Sequence, residues 1–234
     1  MVIYRVGYDE ERCRATLYNH GCNWHCSTCS YKLREGFSPT RFFSTEELFG
    51  VLSSFKVEQL VILGGEPLAC EGIEELVTFA KEMGAHVRIA HSNLSIAPPI
   101  GIDEIGVSLR AITKRKHLQL TGAPNTTVLA NVFKVYDRGV KMSFTTMLVP
   151  DLVDLDEVDK MAEFIAGVDT NLPLHISAFI PVPGTSLRRP TDEEMEAASL
   201  IASKHLVNVT RSSPFPDDRL PKARPAWNSH DGGY

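Results

Sequence analysis

The sequence has no run of roughly 18 apolar residues, so a membrane-spanning helix is not expected. It has no surplus of basic residues either. Its 24 Lys and Arg stand against 29 Asp and Glu, a net charge of −5, which lacks the electrostatic footprint of a nucleic-acid binder. Neither a membrane nor a nucleic acid is therefore an expected partner. The start, Met1-Val2-Ile3-Tyr4-Arg5-Val6, has neither the charged nor the apolar block of a secretory signal. Cysteine is scarce and odd in number, five in 234 residues with three clustered. That argues against a disulfide framework and points to a reducing, cytoplasmic setting. No internal repeat or low-complexity tract is visible, and 43% hydrophobic with 23% charged residues is ordinary globular composition.

What is present alternates. Arg14–Asn19 reads as a first strand. Ser44-Thr45-Glu46-Glu47 opens a helix with an N-cap and an acidic first turn, and Leu48, Val51, Leu52 and Phe55 give that helix an apolar face. Val57–Leu63 is a nearly continuous β-rich run, as in a strand covered on both faces of a parallel sheet. Helical stretches at Ile73–Met83, Thr127–Asp137, Leu155–Ala166 and Asp192–His205 alternate with strands at His86–Ala90, Glu104–Leu109, Lys141–Val149, Leu174–Ile180 and Leu206–Thr210. This order predicts an α/β fold with parallel strands and right-handed crossovers. Six β/α steps fall short of the eight that close a barrel, so a partial (β/α)6, TIM-like barrel over residues 1–211 is expected. From Ser212, Pro214, Pro216, Pro221 and Pro225 break regular structure. Residues 212–234 read as a Pro-rich C-terminal tail, either flexible or docked through Phe215 and Trp227.

The densest chemistry is Gly21-Cys22-Asn23-Trp24-His25-Cys26-Ser27-Thr28-Cys29, directly after the first strand, where parallel β/α proteins carry functional loops. A fully coordinated 4Fe–4S cluster takes four thiolates, so Cys22, Cys26 and Cys29 would leave one iron open for chemistry. The competing reading is a zinc knuckle completed by Cys13, His20 or His25. Such knuckles usually come as two separated ligand pairs, and no second pair exists here. Cys13 and Cys70 lie outside the motif and read as buried small apolar residues. His175, in an apolar strand, reads as a satisfied core histidine.

Gly64-Gly65-Glu66-Pro67 follows the Val57–Leu63 run. Paired glycines there allow a ligand close backbone approach, and Glu66 with free carbonyls can accept from an ammonium group. Together, the C-x3-C-x2-C loop and this turn resemble the radical S-adenosylmethionine (radical SAM) superfamily. The resemblance implies an oxidoreductase with a 4Fe–4S cluster on Cys22, Cys26 and Cys29. It also implies S-adenosylmethionine (SAM) held through its methionyl amino group by Gly64, Gly65, Glu66 and Pro67. One-electron reduction of the sulfonium would give methionine and a 5′-deoxyadenosyl radical that abstracts hydrogen, chemistry suited to anaerobic conditions. Ser92 and Asn93 stand where the family often has Thr-Asn-Gly. Ser108 and Arg110 stand near its ribose and carboxylate contacts. All four are candidate cofactor residues, and a side chain at Gly65 is expected to weaken cofactor binding while leaving the cluster in place.

The match extends further. Leu118-Gln119-Leu120-Thr121-Gly122-Ala123-Pro124-Asn125 and Val158-Asp159-Lys160-Met161-Ala162-Glu163-Phe164-Ile165 resemble glycyl-radical-enzyme activating proteins of the pyruvate-formate-lyase-activase type. That implies a glycyl-radical enzyme as partner and a low-potential electron donor of flavodoxin or ferredoxin type. Two positions depart from the pattern. Thr28 replaces the aromatic residue usual before the third cysteine, a ring that Trp24 or Tyr31 would supply, and Ser108-Leu109-Arg110 replaces an Asp-Leu-Lys. The second departure keeps open a different substrate, a small molecule or peptide in cofactor or natural-product biosynthesis. The run Lys114-Arg115-Lys116-His117 reads as a solvated loop, or as a contact to an acidic partner or phosphorylated substrate.

Overall fold

A computed structural model of the chain describes residues 2–34 and 38–213. Eight strands form one sheet in sequence order: β1 (Ile3–Asp9), β2 (Arg14–Asn19), β3 (Gln59–Leu63), β4 (His86–Ser92), β5 (Glu104–Ser108), β6 (Lys141–Leu148), β7 (Leu174–Ala178) and β8 (Val209–Arg211). The strands from β2 to β8 are parallel, with six crossovers between them. Among the described residues β1 and β8 do not pair, so the barrel is open, as expected. The sequence reading missed β1, which joins β2 as an antiparallel edge. Its intermediate burial, with only Ile3 and Val6 buried, leaves a weak strand signature.

Six helices, α1 (Thr45–Ser53), α2 (Ile73–Glu82), α3 (Lys114–Thr121), α4 (Thr126–Asp137), α5 (Leu155–Ala166) and α6 (Asp192–Ala202), connect these strands. Only the β4–β5 crossover lacks a helix. The expected start of α1 is a capping box: Ser44 accepts from the Glu47 amide at 3.1 Å and Glu47 accepts from the Ser44 amide at 2.9 Å. α3 was not anticipated as a helix. Its first turn is wholly basic, which opposes the helix dipole, yet two carboxylates from the start of α5 hold it. Buried Glu157 accepts from the amides of Ile112 and Thr113, and Asp154 accepts from Lys116 Nζ at 3.0 Å. Lys116 and buried His117 are therefore structural rather than solvated, while Lys114 and Arg115 are exposed.

Pairing register aligns fully buried residues in rows. Leu17, Ile62, Ile89, Ile105 and Met142 form one such row on the helix-covered side. The intervening residues face the concave side, which stays partly open and polar. His175 lies there, half-buried with Nδ1 2.9 Å from Thr210 Oγ1, and is not the core histidine expected. Cys70 is buried as expected, whereas Cys13 is half-buried in the β1–β2 turn at φ +46°. Ser212 still belongs to the sheet: its amide donates to Ile176 and its hydroxyl accepts from the Ala178 amide. The rest of the expected tail, with Phe215 and Trp227, lies outside the described residues apart from Ser213.

Candidate active site

The two glycine-bearing loops are one backbone unit. Asn19 closes β2 and is almost fully buried. Its Nδ2 donates to the carbonyls of Gly64 at 3.0 Å and of Gly21 and Glu66 at 3.3 Å. The Glu66 amide donates to the Gly21 carbonyl at 2.9 Å. Gly65 has φ +51°, and a Cβ there would stand 1.7 Å from the Gly21 oxygen, so no other residue fits without moving the loop. This changes the expectation for Gly65: a side chain would push on the cysteine loop itself.

Glu66 is buried and ties that unit to the end of β4. Its carboxylate accepts from Asn93 N at 2.5 Å, Ser92 Oγ at 2.8 Å and Leu68 N at 3.0 Å. A carboxylate offers about four acceptor sites, so three are already in use. Burial pushes its pKa up, against those donors and the charge of Arg110. Ser92 also accepts from the Leu94 amide at 2.9 Å, and Asn93 donates to Asn23 Oδ1 at 2.9 Å, with its Nδ2 4.0 Å from Cys22 Sγ. The structure brings Gly64, Gly65, Glu66, Pro67, Ser92 and Asn93 together, with the last two fastening one loop to another.

The cysteine loop rests on α3. The Ser27 amide donates to the Leu120 carbonyl at 2.8 Å, and Trp24 meets His117 edge-on with ring centroids 5.2 Å apart. Cys22 is exposed, and Cys26 and Cys29 are half-buried. Burial pushes the Cys22 and Cys26 thiols up, and the nearby sulfurs add to that. The charge of Arg110 acts against both shifts, so it lies within electrostatic reach of both sulfurs. Among the described residues, no three His, Cys, Asp or Glu side chains close on a single-ion position. Thr28 is buried, and Tyr31 is the nearer of the two candidate rings to the Gly-Gly turn, its hydroxyl 3.0 Å from where a Gly64 Cβ would lie.

Of the buried side-chain polar atoms with no hydrogen-bond partner among the described residues, three belong to residues of this neighbourhood: Asn19 Oδ1, Arg110 Nε and His117 Nε2. A native interior rarely leaves such atoms unsatisfied. Ser108 is buried at the end of β5, paired with Thr145. Asn19 and Asn23 carry no role in the sequence reading, and His117 figures there only as part of a basic run, not as a support of the cysteine loop. Only position could have flagged Asn19 and Asn23, at the end of a strand and beside Cys22.

The Radical SAM superfamily profile matches residues 17–165. A candidate glycyl-radical enzyme activating enzyme of Methanocaldococcus jannaschii is 28% identical over 214 residues, covering 86% of this chain and 82% of that protein. A candidate GTP 3′,8-cyclase of Saccharolobus islandicus is 26% identical over 198 residues, covering 77% of this chain and 61% of that one. Among solved structures, Streptococcus suis SuiB bound to S-adenosylmethionine superposes with a TM-score of 0.64 at 15% identity, over 84% of this chain. The chain spans 49% of that protein's length. A domain of pyruvate-formate lyase-activating enzyme from Bacteroides vulgatus superposes with a TM-score of 0.56 at 16% identity, covering 65% of this chain and 98% of that domain. The profile covers well over half of the sequence and includes all three clustered cysteines, the Gly-Gly turn and Arg110: the chain belongs to the radical SAM superfamily.

Proposed function

We propose that the chain is a radical SAM oxidoreductase in which Cys22, Cys26 and Cys29 hold a 4Fe–4S cluster beside a SAM site on Gly64–Pro67. The observation that carries this is the Gly21–Gly65 contact, which makes the cysteine loop and the Gly-Gly turn a single cradle. When bound, the cluster and SAM supply a 5′-deoxyadenosyl radical for hydrogen abstraction. The chain's own residues bind and orient. Three thiolates would hold three irons of such a cluster and leave the fourth open. Asn19 and Glu66 hold the cradle's backbone in place, and Arg110 brings a fixed positive charge to face a carboxylate. Ser92 and Asn93 keep the β4 loop against the cysteine loop, and Ser108 lines the floor beside Arg110.

The substrate reading favoured by the relatives is activation of a partner enzyme by abstraction of a glycine hydrogen, with a flavodoxin- or ferredoxin-type donor. One observation favours a second reading, direct action on a small molecule. The concave floor beside the cradle is open and carries basic side chains on β4, on β7 and after β5. The test is anaerobic reconstitution with iron and sulfide, then SAM and dithionite. About four irons per chain and release of 5′-deoxyadenosine are expected; a colourless, zinc-loaded protein that leaves SAM intact defeats the proposal. Glycine activation is tested by electron paramagnetic resonance on a glycyl-radical enzyme encoded in the same genome, where no radical signal would remove that reading.

A further inference from the structure

Strand β4 bulges where it meets β5. Ile89 pairs with Ile105 and Ser92 with Val107, so three steps along β4 oppose two along β5. The extra residue falls at Ala90–His91. β5 accommodates it through Gly106, where a Cβ would stand 2.1 Å from the Ala90 carbonyl oxygen. A bulge re-aims side chains and is common beside active sites. Here it lets Ser92 reach buried Glu66 while His91, next to it, stays exposed to the concave floor.

Register then sets the opposite wall. Ser108 pairs with Thr145, Thr145 with His175 and His175 with Thr210, which puts His175 in a floor row of otherwise uncharged hydroxyl residues. The register places His91 and His175 on the same floor; although His91 keeps an exposed edge, partial desolvation there, followed by the charges of Arg110, Arg88 and His175, holds its imidazole below its ordinary range. Glu104, where β5 starts, is already paired: it lies 3.2 Å from Arg88, with His86 and Lys141 farther off, and Glu66 is held by its own three donors. His91 has no hydrogen-bond or ion-pair partner among the described residues, and His175 has only Thr210. Gathering like charges is unfavourable unless a bound anion offsets it.

We propose that the floor between β4 and β7 binds the anionic group of a small-molecule substrate, a carboxylate or a phosphate, with His91 and His175 as specificity-determining contacts. Arg110 is left to the cofactor. The inference rests on the small-molecule reading above, since a backbone glycine has no charge to offer this pair. The bulge is the device that brings His91 to the site, and Gly106 is the residue that permits the bulge.

The test titrates cluster-reconstituted, SAM-saturated protein calorimetrically with inorganic phosphate and, separately, with succinate. At least one is expected to bind saturably. His91→Gln and His175→Gln should each weaken it about tenfold, the scale of one lost charge-assisted hydrogen bond. Lys134→Gln, on the exposed outer face of α4, should bind like the wild type. Circular dichroism and the cluster absorption band report whether each variant is folded and loaded. Saturation by phosphate alone or by succinate alone names the source of the anionic group. Saturation by neither, or wild-type affinity in both histidine variants, overturns the inference. Failure of the radical chemistry itself is read separately, as loaded wild-type protein that yields no 5′-deoxyadenosine.

Discussion

Gly65 and Gly21 touch through backbone alone: a Cβ on the first would stand 1.7 Å from the carbonyl oxygen of the second. Gly21 is followed by Cys22, so the contact couples the Gly-Gly turn to the cysteine loop without any side chain. Gly65→Ala should therefore displace the loop and not merely narrow a ligand site. Strain at φ +51° together with the clash should cost about 1–3 kcal/mol. Iron and sulfide per chain after reconstitution should drop along with the melting temperature. A variant with full iron content and weakened SAM binding would return the glycine to the purely ligand-facing role read from sequence.

Cys26→Ala tests the ligand assignment directly. With two thiolates left on the loop, cluster assembly and all cleavage of SAM should be lost. The matched control is Cys70→Ala, a buried thiol outside the loop, which should keep its iron. Retained 5′-deoxyadenosine production in Cys26→Ala would show that the triad has been assigned wrongly.

Glu66 is an organiser as much as a contact. In Glu66→Ala the Ser92 hydroxyl and the amides of Asn93 and Leu68 lose their acceptor inside the protein. Each unsatisfied buried donor costs about 1–3 kcal/mol. The expected result is a lower melting temperature with raised KM for SAM, because the β4 loop loosens from the cysteine loop. Glu66→Gln keeps an acceptor oxygen and should recover part of both. Equal loss in the two variants would mean that the charge, not the fastening, is what matters.

Stability against acid has a predictable component at α6. Arg188 beside Glu194, with the Thr191 amide, holds the Glu194 carboxyl at about 2, down from the model-peptide value of 4.5. The folded state thus favours the ionised form. The stabilisation is fully present above pH 4.5 and is lost as pH falls toward 2. The melting temperature of Glu194→Gln should lie below wild type at pH 6, with the gap closing across that window. A gap that stays constant down to pH 2 would assign the effect to packing of the cap.

Much of this was legible because the apolar rows are strong. Leu60 and Ile62 in β3 are fully buried within a nearly continuous apolar run, and in β4 the fully buried Val87 and Ile89 alternate with polar residues, both of which announce strands. The cysteine spacing and the Gly-Gly turn were legible because each is local. What the sequence hid is long-range. Nothing near Lys116 says that Asp154, 38 positions on, will neutralise it and turn a basic run into helix. Nothing near His91 says that a bulge will rotate it, since the cause is the missing side chain at Gly106. β1 was hidden for a different reason: an edge strand with one side covered carries little apolar signal.

The support of the cysteine loop by α3 is the last relationship with a measurable consequence. Asp154 caps α5 through the Glu157 amide at 3.1 Å and also holds Lys116 of α3 at 3.0 Å. Asp154→Ala removes both links. The cap alone is worth about 1 kcal/mol, and among the described residues the freed Lys116 keeps only Glu157, 3.6 Å away. Because Ser27 and Trp24 lean on Leu120 and His117, a loosened α3 should reach the loop that holds the cluster. Iron occupancy and the rate of cluster loss in air should both worsen. Asp156→Ala, whose carboxylate pairs among the described residues only with Lys160 on an exposed surface, should leave both unchanged. If the two variants hold iron equally well, α3 is a spacer and the cysteine loop keeps its shape through Asn19 and Gly65 alone.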